Sequence, residues 1–124
     1  MLIMKLVNRS VVIVRPKQPL VDWVNETPEV KPRKKLTLDN MRASRTVLLV
    51  PQDTTLAQAR EYVDSLKPYL FEMQLNLWYR DPRTWPRERS NAPFDEWFDL
   101  ELHTLVVDLV DEPLLKEGDE DWED

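Results

Sequence analysis

At 124 residues, with 42% hydrophobic and 32% charged side chains, the chain is expected to form one soluble domain that buries roughly two thirds of its unfolded surface. It has no Cys, which excludes disulfide scaffolds, thiol nucleophiles and Cys-ligated metal centres; its one Gly against ten Pro excludes Gly-rich phosphate loops and dinucleotide fingerprints. The net charge of -6 is unevenly spread: residues 1–50 carry +6 and residues 51–124 carry -12, so the two halves are expected to attract each other.

The opening MLIMKLV is too short an apolar run for a signal core, and no span reaches the roughly 20 residues of a membrane helix. With no Cys in the chain, the expected setting is the reducing cytoplasm, with no membrane contact. Residues 10–15 (SVVIVR) form a β-branched run stopped by Pro16, which predicts a short strand covered on both faces. Pro19 can open a helix of about two turns carrying Leu20, Trp23 and Val24 on one side. Pro28 and Pro32 then break the chain, and KPRKK at 31–35 reads as an exposed basic connector.

Thr37 with Asn40 three residues later is a capping signal for a short helix through about Ala43. A second apolar run, 46–50 (TVLLV), is closed by Pro51 and predicts a second doubly covered strand. If right-handed crossovers join these two strands, they run parallel. Thr55 and Gln58 form a capping box for the longest helix, over 55–79. Its apolar stripe of Leu56, Ala59, Tyr62, Val63, Leu66, Tyr69, Leu70, Met73 and Leu77 is expected to face the core. Pro68 predicts a kink or break near Lys67 and a second helix from there to about Tyr79.

Asp81-Pro82 caps a single turn carrying Trp85, and residues 91–97 add one or two turns that deliver Phe94 and Trp97 to one side. The period then changes to two. Phe98, Leu100 and Leu102 alternate with Asp99, Glu101 and His103, predicting a strand with one wet face, and Leu105, Val107 and Leu109 suggest a far half buried on both sides. The fold class read from this order is α+β or α/β: one small domain over 1–112, with a mainly three-stranded sheet at 10–15, 46–50 and 98–110 packed with helices. Residues 113–124 are expected to be an acidic, disordered tail.

Three elements carry a resemblance: Lys17-x-Pro19-x-x-Asp22-Trp23, Trp85-Pro86-x-x-Arg89 and Trp97-Phe98-x-x-Glu101-x-His103. In this order, within residues 8–113, the chain resembles a group of short bacterial proteins with no established function. The resemblance implies a bacterial cytoplasmic domain and no particular activity.

Three constellations bear on chemistry. Glu101 and His103, with Asp99, share one strand face; they are weak candidates for a metal site, and a metal-dependent hydrolase is the second alternative function. Arg80, Arg83, Trp85, Arg87 and Arg89 combine the residue types enriched at interface hot spots, and form the favoured interaction surface unless the Trp residues plug the core. Lys31, Arg33, Lys34 and Lys35, with Arg42 and Arg45, form a basic patch that supports nucleic-acid binding as the first alternative. That patch lacks an interleaved aromatic platform, so nucleic acid is the less favoured partner. No nucleophile, base and orienting group stand in a recognisable pattern, and no catalytic residue or cofactor is assigned. The favoured reading is a non-enzymatic protein–protein interaction or regulatory module with an unknown protein partner, a homodimer being one form it could take.

Overall fold

The computed structural model describes residues 4–27, 35–41, 43, 45–52, 55–89 and 91–118. In order these form β1 (Lys5–Leu6), β2 (Arg9–Pro16), α1 (Gln18–Glu26), α2 (Leu38–Met41), β3 (Thr46–Pro51), α3 (Leu56–Asp64), α4 (Lys67–Trp78), a 3-10 turn (Pro82–Thr84), α5 (Asn91–Trp97), β4 (Phe98–His103) and β5 (Val107–Asp108). The fold is α+β. Lys31, Arg33, Lys34 and the end of the acidic tail lie outside the described residues.

The sheet has the order β3-β2-β4 and both pairings are antiparallel. The expectation of parallel first strands is therefore corrected: the chain returns from β2 to its immediate neighbour, and no crossover to a parallel partner is needed. The sheet is also covered on one side only. Val12, Val14 and Val50 are buried under helices, whereas Val47 and Leu49 are 56% and 45% exposed. Strict alternation in β2 and β3 thus replaces the expected double coverage.

Local signals explain the helix starts. Thr37 and Asn40 bond each other's backbone N–H groups at 3.2 and 2.9 Å, and Thr55 with Gln58 closes a full capping box. Asp81 accepts from the Arg83 backbone N–H and starts the 3-10 turn. The chain breaks at Ser65 and Leu66, and Pro68 then occupies the first turn of α4, where its missing N–H costs nothing.

That break re-phases the apolar stripe. Ala59 and Val63 of α3 face the core as expected, but Lys67, Phe71, Gln74 and Leu75 are the buried residues of α4. Tyr69, Met73 and Leu77 turn to solvent, as do Leu56, Tyr62 and Leu66. The pattern read across Pro68 as one helix belongs to two, whose faces are set independently.

The core is aromatic at its centre. Phe71 meets Phe94, Trp97 and Phe98 with ring centroids 6.1, 5.2 and 5.8 Å apart, and Trp23 packs edge-on against Tyr79 at 5.1 Å. The fully buried Phe71, Phe94 and Phe98 each contribute about 1.5–3 kcal/mol through burial alone. The polar atoms of Trp23 and Tyr79 are satisfied: the Tyr79 hydroxyl donates to the Val24 carbonyl and Trp23 Nε1 donates to the Thr84 carbonyl. Among the described residues, the wholly buried Ser10 hydroxyl and Asp64 Oδ1 lack a hydrogen-bond partner, the latter lying in an ion pair with Lys67.

The expected strand over 98–110 ends at His103. After the irregular residues 104–106, β5 pairs with β1 as Leu6 with Val107 and Lys5 with Asp108. Between this register and the pairing of Val11 with His103, residues 7–10 lie opposite residues 104–106, one residue more on the first strand, which is a bulge. The two-stranded arm beyond it lies outside the core. Leu105 and Leu109 are 74% and 64% exposed, so the far half of that segment is not buried on both sides.

Candidate functional site

The Arg and Trp segment resolves into separate roles. Trp85 is half-buried against the core, its Nε1 donates to the Tyr79 carbonyl at 2.8 Å, and the Arg89 guanidinium stacks 5.7 Å from its ring. Arg89 also donates to Glu72 at 3.0 Å and to the Pro86 carbonyl at 2.6 Å. Arg83 forks onto Asp81. Arg80 and Arg87 are exposed. Trp85 and Arg89 therefore pack at the end of the core, while Arg80, Arg83 and Arg87 stand exposed beside them in sequence.

The charged row on the uncovered sheet side is better organised. Cross-strand register places Ile13 beside Glu101, Val11 beside His103 and Arg15 beside Asp99. Glu101 bonds His103 Nε2 at 2.7 Å and pairs with Arg15 at 3.4 Å. The His103 hydrogen bond holds the Glu101 carboxyl below the usual carboxylate range, against an opposing desolvation and with further help from the charges of His103, Arg15 and Arg45. Asp99 instead lies 3.9 Å from Lys17. Glu101 and His103 are thus engaged with each other, and the described residues contain no group of three or more His, Asp or Glu arranged to hold a metal.

A second polar centre was not anticipated from the sequence. Lys67, almost fully buried, places its ammonium 2.5 Å from Asp64 and 2.7 Å from Asp95, at the wall of a cavity of about 330 Å³ also lined by Arg60, Asp99 and Leu100. Burial alone would lower its pKa, but the bonds to the two carboxylates and their charges outweigh this and the net shift is upward. A lysine held so firmly in the ammonium form has no lone pair with which to attack a carbonyl or take a proton. The arrangement ties α3, α4 and α5 together. Only contact information could have found it, because an isolated Lys before a Pro carries no sequence signal.

The largest feature is apolar. On the uncovered side Val47 and Leu49 of β3 stand beside Ile13 and Val11 of β2. Leu6, Leu105, Val107 and Leu109 of the arm are all exposed, and Leu6 and Val107 are cross-strand neighbours. Sequence reasoning missed this surface because 11–14 (VVIV) and 47–50 (VLLV) are aliphatic at every position, so nothing within them marks which side is wet. Of the basic patch, the described residues Lys35 and Arg45 are both exposed.

No protein-family model, no curated protein and no solved structure matches this chain. No helix among the described residues is long and apolar enough to cross a membrane.

Proposed function

We propose that this chain is a non-enzymatic protein–protein interaction module of the bacterial cytoplasm, and that its contact surface is the uncovered side of the sheet together with the β1–β5 arm. The observation that carries the reading is the exposure of Val47 and Leu49 on a sheet whose opposite side buries Val12, Val14 and Val50. Water-exposed apolar side chains gathered on one side, rimmed by charge, mark a contact surface rather than a reaction site. A cytoplasmic setting agrees with a chain that has no Cys. The reading keeps the interaction role expected from the sequence but moves it away from Trp85 and Arg89, which serve the core.

Affinity capture from a native lysate tests this. Wild-type protein should recover a defined partner that Leu49→Glu loses while circular dichroism shows an unchanged fold. Recovery of the same proteins by both forms would place the surface elsewhere.

A further inference from the structure

Resting on that reading, we infer that the partner is a second copy of this chain, packed sheet against sheet on the uncovered side about a two-fold axis. Three observations converge on a self-contact.

The first is the arm. A two-stranded ribbon is marginal in water unless a further layer covers it. Here Leu6 and Val107 are cross-strand neighbours on one side, and the register carries Met4 and Leu109 to the same side, while Lys5 and Asp108 occupy the other. The irregular residues 104–106 join this ribbon directly to β4, the edge strand that carries Glu101 and His103. Arm and sheet each present exposed apolar side chains, Leu6 and Val107 on the one and Val47 and Leu49 on the other, with nothing over them among the described residues.

The second is charge. The row across this surface holds both signs in contact, Arg15 against Glu101 and Glu101 against His103. Such a row is complementary to itself when rotated about a two-fold, as an isologous contact requires, whereas a strongly basic or acidic partner would be repelled by half of it. The third is area. With Leu6, Leu105 and Leu109 64–74% exposed and Val47, Leu49 and Val107 41–56% exposed, covering these side chains on two copies would bury on the order of 1,000 Å², the lower threshold of a specific interface.

Sedimentation of the purified chain alone, from about 1 to 500 µM, reads the outcome directly. Wild-type protein should sediment at twice its 14.8 kDa chain mass in the upper range. Leu49→Glu on the sheet and Leu6→Asp on the arm should each weaken association at least about 100-fold with an unchanged circular dichroism spectrum. Arg15→Glu and Glu101→Arg should each dimerise poorly alone and assemble together when mixed. A wild-type monomer at every concentration, or a dimer indifferent to both apolar variants, would overturn the inference. A monomeric wild type whose lysate partner is still lost on Leu49→Glu would overturn self-association while leaving the interaction reading intact.

Discussion

The two sides of the β3-β2 strand pair are built from the same aliphatic residue types and have opposite fates, while β4 adds Asp99, Glu101 and His103 to the uncovered side alone. Val12 and Val14 are 1% and 2% exposed beneath α-helices, whereas Val47 and Leu49, on neighbouring strands, are about half exposed. Within β2 and β3, aliphatic composition does not separate them. The difference lies in what the rest of the chain delivers to each side: the five helices supply Phe71, Phe94 and Leu20 to one and nothing among the described residues to the other. The proposed contact draws on the side that the described helices leave without a cover.

Substitutions can break this comparison. The largest effects belong to the covered side. Val14→Asp, which would bury an unpaired charge, should cost more than about 4 kcal/mol and unfold the chain, and Phe71→Ala should cost about 3–5 kcal/mol, both read by urea denaturation. Val47→Asp on the uncovered side should change monomer stability by no more than about 1 kcal/mol. Equal costs at positions 14 and 47 would mean that the two sides do not differ.

Lys67 comes next. Lys67→Met leaves Asp64 and Asp95 facing each other without their cation and should cost about 2 kcal/mol, less than a fully buried pair because both carboxylates are partly exposed. Its pH dependence has a definite sign. Because the folded pKa is raised above 10.5, this stabilisation is fully present below that value and is lost as pH rises through the folded value. Wild-type protein should therefore lose stability in that alkaline window faster than Lys67→Met does, in denaturant melts across the range.

Smaller effects sharpen the account. Ser10→Ala removes a buried hydroxyl that has no partner and should leave stability unchanged or raise it by about 1 kcal/mol. Glu101, with its folded pKa lowered, stabilises the chain above its unfolded value near 4.5, and this contribution is lost as pH falls through the lower folded value. Glu101 is solvent-exposed, so Glu101→Gln should produce only a slight flattening of the acid limb of stability against pH.

Much of the fold was legible in the sequence because it rests on local chemistry. The caps at Thr37, Thr55 and Asp81, the break before Pro68, and the period change at Phe98 all act within a few residues. What was not legible depends on partners distant in the chain. The direction of β3, the outward turn of Tyr69 and Met73, and the embrace of Lys67 by Asp95, 28 residues away, are set by packing. The candidate surface was hidden for a related reason: a fully apolar strand gives no hint of which of its sides meets water. Conversely, the Arg and Trp residues at 80–89 matched interface composition, yet Trp85 and Arg89 spend their hydrogen bonds inside the domain.

The central claim is that the uncovered side of the sheet meets its own copy. Because the chain has no Cys, Ile13→Cys on the central strand introduces a single site for a spin label, and dipolar spectroscopy then reads the distance to its twin. With facing sheets about 10 Å apart, the account predicts one population within about 25 Å at concentrations where the chain dimerises. Absence of dipolar coupling, or a distance beyond about 40 Å, would contradict it, since no two sheets packed face to face could hold their central strands that far apart.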